Sequence, residues 1–142
     1  MAAKDLYHEQ VRNALIKDGW TVTHDPLSLK WNNADAFIDL AAEKVLIAEK
    51  GSSKIAVEVK SFIGVSKMRN LYEALGQFVL YRAALADFEP ERELFLALRQ
   101  ESFQLLFATP AGEKLRAREQ IKLIVFNEDS QEIVEWIPPL TT

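Results

Sequence analysis

Residues 54–62 read Lys-Ile-Ala-Val-Glu-Val-Lys-Ser-Phe, a mostly apolar run that holds two opposite charges. The run predicts a buried strand covering all nine residues. Because successive side chains of a strand point to opposite faces, Glu58 and Lys60 share a face with Ala56, and the Ile and Val residues share the other. The Cα atoms of the two charged residues are then ~6–7 Å apart, so a carboxylate and an ammonium can reach one small site beside the sheet.

The composition is that of an ordinary globular chain. Its 142 residues, 49% apolar and 27% charged, are expected to form one domain over residues 1–142. The absence of cysteine excludes disulfides, thiolate metal sites and a cysteine nucleophile. With no secretory signal and no apolar run of about 20 residues, we expect a cytoplasmic protein with no membrane partner. The net charge of −4 and the pI near 5.3 argue against general nucleic-acid binding.

Further helix and strand patterns surround this strand. Apolar residues at helical spacing predict a helix of roughly Lys4 to Asp18, with Gly19 as its stop. Ser66 suits the cap of a second helix of roughly Lys67 to Ala86, and Pro110 suits a helix start. The other predicted segments are strands at Trp20–His24, Leu27–Trp31, Ala36–Leu40, Lys44–Glu49, Glu93–Leu98, Ile121–Phe126 and Ile133–Ile137, and one or two short helices between Glu101 and Glu119.

These segments, summarised as the order α-β-β-β-α-β-α-β-β, indicate an α/β (α+β) fold with a mixed sheet flanked by helices. The second helix is expected to bury a wide apolar face made of Met68, Leu71, Tyr72, Leu75, Phe78 and Val79. Gln77 and Tyr81, one helical turn apart, lie at the border of that face. They are placed to reach the edge of a pocket beside the charged strand.

Asp39 ends the strand-like stretch Ala-Phe-Ile-Asp-Leu at 36–40. If that strand neighbours the strand of Glu58, the two carboxylates, with backbone and water oxygens, form a hard-oxygen site suited to Mg²⁺ or Mn²⁺. Lys60 would then orient a water or stabilise charge on a phosphate. Each of these residues also has a plain structural interpretation, as a solvated ion pair, a strand end, a surface amide or an aromatic at the core edge.

In this order, Asp39, Glu58-Val59-Lys60 and Gln77 resemble the PD-(D/E)xK pattern of restriction-endonuclease-like nucleases, although Ile38 stands where that pattern usually has proline. The Gln-x-x-x-Tyr step resembles some resolvase-like branches. Over nearly the whole chain the sequence more closely resembles the XisH family of cyanobacterial proteins, the fdxN-element excision controlling factors. The stretches that carry this resemblance are ALIKDGWTVTHDPL (14–27), IDLAAEK (38–44), AEKGSSKIAVEVKSF (48–62), ALGQFVLYRAAL (74–85) and IKLIVF (121–126).

The resemblance implies a restriction-endonuclease-like fold and a role in programmed DNA rearrangement during heterocyst development. It also implies work alongside a site-specific recombinase and a companion protein, XisI. The implied site has Asp39, Glu58 and the Val59 carbonyl around Mg²⁺ or Mn²⁺, Lys60 positioning the attacking water, and Gln77 bracing the site.

Superfamily members often add a polar residue from the first helix to this site. His8 and Glu9 compete for that role, and helical phase places His8 nearer the sheet, whereas an exposed Glu9 suits the helix dipole. Tyr81 is a supporting candidate, and the acids Glu43 and Glu49 are reserves.

Two functions stay open on this sequence. One is a metal-dependent DNA endonuclease, favoured by the Asp-Glu-Lys set; the other is a non-catalytic accessory module that binds XisI or a recombinase, favoured by the acidic pI. A basic partner or a homo-oligomer would reconcile them by supplying a DNA-binding surface. The chain's own basic positions, which also suit solvated helix faces, are Lys67, Arg69, Arg82, Lys114, Arg116 and Arg118. A sugar- or nucleotide-binding enzyme is disfavoured because there is no glycine-rich phosphate loop.

Overall fold

The computed structural model of the chain describes residues 6–33, 36–40, 44–62 and 66–140, with the backbone alone at 32–33 and 36–39. Its helices are α1 (His8–Lys17), α2 (Lys67–Phe88), α3 (Gln100–Leu106) and α4 (Pro110–Glu119). Its strands are β1 (Thr21–His24), β2 (Lys30–Asn33), β3 (Ala36–Asp39), β4 (Leu46–Lys50), β5 (Ser53–Val59), β6 (Glu93–Arg99), β7 (Leu123–Asn127) and β8 (Glu132–Ile137).

Six strands form the main sheet in the order β1-β4-β5-β6-β7-β8. The central strands β5, β6 and β7 are parallel, and the outer pairs are antiparallel. Parallel neighbours need a crossover connection, which α2 supplies between β5 and β6, and α3 with α4 between β6 and β7. The predicted mixed sheet flanked by helices is therefore confirmed.

The segments predicted one by one agree with the structure, which has five strands before α2 and two helices between β6 and β7. The condensed order is short of two of these strands and one of these helices. Of the five strands, β2 and β3 form a separate two-stranded antiparallel sheet. The strand predicted to reach Phe62 ends at Val59, and Phe62 has a φ of +52°, in the left-handed region that interrupts an extended strand. The start predicted for the first helix, at Lys4, lies outside the described residues.

The alternation predicted for β5 is confirmed on both faces of the sheet. Ile55, Val57 and Val59 lie in one buried cluster, together with the apolar face of α1. Ala56 lies in the other cluster, with the apolar face of α2. A central strand buried on both sides needs apolar residues at nearly every position, which is why a charge on β5 is unusual.

Helix α2 begins where Ser66 was expected to cap it, since the Ser66 side chain accepts a hydrogen bond from the Arg69 amide at 3.2 Å. The predicted apolar face is right for Leu71 and Phe78, which are buried, but wrong for Met68, Tyr72 and Val79, which are exposed. The buried stripe is centred about one residue further round the helix: Leu71, Ala74, Phe78, Tyr81, Ala84 and Leu85.

Helix α1 covers the other face of the sheet and stops where predicted, because Gly19 adopts a φ of +94° that favours glycine. It is attached to the turn between β7 and β8. The Asn13 amide donates to Gln131 Oε1 at 2.7 Å, and Lys17 Nζ donates to the Ser130 carbonyl at 2.7 Å. Helix α1, near the start of the described chain, is therefore attached to the hairpin formed by β7 and β8.

Helix α4 begins at Pro110 as predicted, with the Thr109 hydroxyl accepting from the amide of Gly112 at 3.0 Å. A Cβ at Gly112 would stand 2.1 Å from the Leu106 carbonyl oxygen, so the approach of α4 to the end of α3 needs glycine here. In the part of the chain that the structure describes, no helix is long and apolar enough to cross a membrane.

Candidate metal-binding site at the end of β5

The end of β5 lies at the centre of the main sheet. Glu58 pairs in register with Leu96 of β6, and the Lys60 amide, just past the strand, donates to the Ala97 carbonyl at 3.0 Å. On the other side β4 begins at Leu46, opposite Val57, so Glu58 and Val59 extend beyond that neighbour. The strand therefore carries its charged residues to a position where the sheet is incomplete on one side.

The Glu58 carboxylate is buried on the α2 side of the sheet. The residue is 1% exposed, and its Oε2 lies 3.9 Å from Nζ of Lys60, whose side chain is 19% exposed. A buried carboxylate costs free energy unless cations or hydrogen-bond donors stabilise it. The structure thus brings together the two charges that the strand pattern placed on one face, one buried and one reaching toward solvent.

Gln77 lies on α2 between the buried positions Ala74 and Tyr81, at the border of the apolar face as predicted. Its Oε1 atom is buried and accepts no hydrogen bond from the residues that the structure describes. A buried amide oxygen without a donor is costly, so such an atom points to a ligand or a bridging water. Tyr81 itself is 6% exposed and belongs to the core cluster under α2.

Asp39 ends β3, which pairs with β2 and not with β5. The condition that the strand of Asp39 neighbours the strand of Glu58 is therefore not met. A backbone hydrogen bond nevertheless connects the residue after Asp39 to the residue before β4, which pairs with β5. The residue after Asp39, Leu40, accepts the Val45 amide at 3.2 Å, and Val45 precedes the β4 residue that pairs with Val57. The Asp39 side chain lies outside the described residues, so its part in the site stays a prediction.

The structure places the two first-helix candidates away from the Glu58 face. Helix α1 packs on the opposite side of the sheet, and His8 Nε2 lies 2.6 Å from Asp25 Oδ1. Arg12 also contacts this carboxylate, at 2.5 Å. Burial alone would raise the pKa of Asp25, but hydrogen bonds from His8 and Arg12 and their charges hold it below its ordinary value. Glu9 is exposed.

Of the two reserve acids, the structure describes only Glu49, and it lies away from Glu58. Glu49 pairs with Lys54 at the opposite end of β5, and its Oε2 accepts from Arg92 at 3.2 Å. Glu43 lies outside the described residues. Within the described ranges no group of three or more His, Asp or Glu side chains is placed to hold a metal ion. A second acidic ligand beside Glu58 would therefore have to come from a side chain outside the described ones, such as that of Asp39.

Arg99 supports the same end of β5 from the α1 side, and the sequence analysis did not include it. Its guanidinium lies 4.7 Å from the ring centroid of Tyr7, a cation–π contact, and donates to the Ser61 carbonyl at 3.1 Å and to Glu128 at 3.3 Å. These contacts hold the chain directly after Lys60. Arg99 follows five apolar residues in β6, and such a charge at a strand end is the signal that would have identified it.

The basic positions are divided between structural and exposed roles. Arg82 donates to the Glu119 and Gln120 carbonyls, at the C-terminus of α4, at 3.0 and 3.1 Å. Burial and the charge of Arg82 lower the pKa of Lys122, which is paired with Glu93. Of the basic positions named from the sequence, the exposed ones lie near the start of α2 and along α4: Lys67, Arg69, Lys114 and Arg118.

Comparison with known proteins gives one family. The family model described as XisH protein matches residues 1–134. A crystal structure of an fdxN element excision controlling factor protein from Anabaena variabilis is 36% identical, with a TM-score of 0.82, and the match covers 94% of this chain and 98% of that one. An XisH family protein from Nostoc punctiforme is 35% identical, with a TM-score of 0.81 over 93% and 98% of the two chains. No curated protein matches.

Proposed function

The chain belongs to the XisH family, and from this membership we propose that it controls the programmed excision of a DNA element. The support is a relative named for control of fdxN element excision, with which this chain shares 36% identity over nearly its full length. We further propose that it acts during heterocyst development beside a site-specific recombinase and the XisI companion protein. DNA is then its substrate or its shared ligand.

We also propose that the end of β5 is the site of a metal-dependent DNA endonuclease of PD-(D/E)xK type. The observation that carries this proposal is the buried Glu58 carboxylate with the Lys60 ammonium 3.9 Å away, on the sheet face that α2 covers. Charged pairs with no catalytic role are usually solvated. A carboxylate buried in a core beside a partly exposed lysine is typical of a functional site.

The donors at this site suit Mg²⁺ or Mn²⁺, because those ions prefer oxygen ligands and the candidates supply oxygens only. Glu58, the Val59 carbonyl and Asp39 would hold the ion, with the buried Gln77 Oε1 as a further oxygen. When bound, the ion supplies positive charge against the scissile phosphate and the leaving oxygen. This chain's Lys60 orients the attacking water or a phosphate oxygen through its N–H donors, and Arg99 holds the backbone on which Lys60 stands.

A non-catalytic function is the second candidate, in which the chain binds XisI or a recombinase without cutting DNA. A specific observation favours it: the net charge is −4, whereas a nuclease must hold a polyanion close to its own carboxylates. In this alternative the DNA-binding surface comes from a partner, and the Glu58–Lys60 pair only specifies the packing of α2 on the sheet.

The experiment that separates the two functions measures metal binding and cleavage together. Calorimetric titration with Mg²⁺ and Mn²⁺ is combined with cleavage of linear, single-stranded and branched DNA, with and without XisI. We expect Glu58→Gln to abolish metal binding, and both Glu58→Gln and Lys60→Met to slow cleavage by roughly 100-fold or more. Gln77→Leu is expected to weaken metal binding less than Glu58→Gln does.

Matched controls are available on the surface, since Glu101 lies on α3 and Lys50 ends β4 opposite the start of β5, both exposed. Glu101→Gln and Lys50→Met should leave metal binding and cleavage unchanged. Cleavage that persists undiminished in the Glu58 and Lys60 variants would overturn the catalytic proposal. If XisI binds and neither metal binding nor cleavage is detected, the accessory function is the correct one.

A further inference from the structure

The outer face of α2 is apolar where a solvent-facing helix surface is expected to be polar. Its exposed side chains include Met68 at 54%, Tyr72 at 65%, Val79 at 41% and Leu80 at 48% of their full accessible area. A contiguous apolar strip on one helix face is typical of a surface that binds another protein. The buried face of α2 is already filled by the core, so this strip lies outside the packing of the domain.

The strip has a shape that fits a second helix. Gly76 and Ala83 are exposed and lie on the same face as Tyr72 and Val79, at helical spacings of three, four and seven residues. No atom lies within 4 Å of a Cβ built on Gly76, so the helix surface is open there. Small and large residues therefore alternate along the strip, an arrangement that lets side chains of a facing helix fill the gaps.

The charges of α2 favour a second copy of α2 as the helix that packs on this strip. Lys67 and Arg69 lie at its N-terminus and the exposed Asp87 near its C-terminus, with no acid in the first turn and no base in the last. The Asp87 carboxylate accepts a hydrogen bond from Trp31 Nε1 at 2.5 Å through its Oδ2 and keeps its negative charge at this end of the helix. Each of these charges is on the less favourable end of the helix dipole. An antiparallel copy of α2 would bring its Asp87 beside Arg69 and its basic end beside Asp87, and would also oppose the two dipoles.

We propose that the outer face of α2 binds the same face of a second copy of this chain, antiparallel and related by a two-fold axis. Tyr72 packs against Ala83 of the second copy and Gly76 receives its Val79, so each large residue meets a small one. Such an isologous contact needs only one self-complementary surface. Because a single pair of helices forms a small interface, we expect a dimer with a Kd of about 1–100 μM.

The first test is the mass in solution of the full chain, by sedimentation or light scattering over a concentration series. At about 100 μM we expect a dimer of 16.1 kDa chains that dissociates on dilution. The double variant Tyr72→Glu, Val79→Glu should be monomeric at every concentration, with an unchanged circular dichroism spectrum. The controls Leu105→Glu and Val134→Glu alter apolar residues that are 48% and 50% exposed elsewhere, and they should still dimerise.

The second test fixes the orientation of the two helices, and the cysteine-free chain gives it a clean background. An equimolar mixture of Tyr72→Cys and Ala83→Cys chains is oxidised under mild conditions. The antiparallel contact predicts mixed disulfide dimers in excess over either homodimer, and far less crosslinking for Val134→Cys chains. A wild-type chain that is monomeric at about 100 μM, a dimer that survives the double variant, or a preference for Tyr72→Cys homodimers would each overturn the proposal.

Discussion

The two ends of β5 hold buried charge in different ways. At the N-terminal end the Arg92 guanidinium, 5% exposed, donates to the Ile55 carbonyl and to Glu49 at 3.2 Å, and to Glu89 at 3.0 Å. At the C-terminal end Glu58 is as deeply buried, but its Lys60 partner stands 3.9 Å away, beyond the length of a hydrogen bond.

The difference separates a structural ion cluster from a candidate site. Arg92 is surrounded by short, directed contacts that join β4, β5 and the loop before β6, so its charge is used within the fold. The Glu58 end combines a longer charge separation with an ammonium that is partly exposed. Burial is common to both ends, and the geometry of the partners distinguishes them.

Removing the Arg92 guanidinium, at the N-terminal end of β5, is the change with the largest expected effect on stability. Arg92→Met leaves two carboxylates near one another and the Ile55 carbonyl without its donor, so we expect the free energy of unfolding to fall by about 2–4 kcal/mol. Urea denaturation followed by circular dichroism measures this change. The exposed Arg118→Met on α4 is the matched control, with an expected change within about 0.5 kcal/mol. If Arg92→Met lowers the free energy of unfolding by no more than about 0.5 kcal/mol, as expected for the control, the two ends of β5 do not differ in the way described.

Glu58→Gln tests the C-terminal end of β5, where we expect a smaller change in stability of the opposite sign. Replacing a buried carboxylate by an amide of the same size removes its desolvation cost, and the Lys60 ammonium that loses its partner is partly exposed to water, so we expect the free energy of unfolding to rise by about 1 kcal/mol. The same urea titration, in metal-free buffer, checks it. A fall of 2 kcal/mol or more, as roughly expected for Arg92→Met, would show that Glu58 is part of a structural cluster.

For Asp25 we expect the smallest change in stability, although its contacts are the shortest of the three positions. Its carboxylate contacts His8 and Arg12 at 2.6 and 2.5 Å near the surface, and its pKa is lowered. A lowered carboxyl pKa in the folded state stabilises the fold above the pKa of the unfolded chain, and this contribution is lost as pH falls through the folded pKa. Asp25→Asn should therefore destabilise the protein by less than about 1 kcal/mol at pH 7.

The measurement for Asp25 is the difference in unfolding free energy between wild type and Asp25→Asn at several pH values. The difference should shrink as the pH falls below 3.8, the ordinary carboxyl pKa, because the unfolded chain then binds a proton that the folded protein takes up only at its lowered pKa. A difference that is constant across this range would show that shape, and not charge, sets the effect at this position.

Most of the sheet could be predicted from the sequence because local patterns specify it. Alternation in residues 54–62 placed Glu58 and Lys60 on one face, and Ser66 and Pro110 marked helix starts through their own backbone chemistry. These signals depend on a few adjacent residues and survive whatever packs around them. The XisH resemblance extended the prediction to the family, which the comparisons confirm.

The errors lie where long-range packing decides. The sequence of β3 is as strand-like as that of β4, but only tertiary structure determines that β3 pairs with β2 and leaves the main sheet. The phase of α2 was misjudged because Met68, Tyr72 and Val79 are as apolar as the buried residues beside them. Arg99 was missed because its role depends on Ser61, which is 38 positions away in the sequence.

The attachment of α1 to the turn between β7 and β8 has a consequence for how the chain folds during synthesis. Asn13 and Gln131 are 118 positions apart, so the side-chain contact between them forms only after the chain has left the ribosome as far as Gln131. Closing contacts of such long range is slow, and the part of α1 that packs on β8 is left uncovered until β8 has been made. We therefore expect the nascent chain to need protection of its first helix, and its final folding step to be the docking of that helix on the completed sheet.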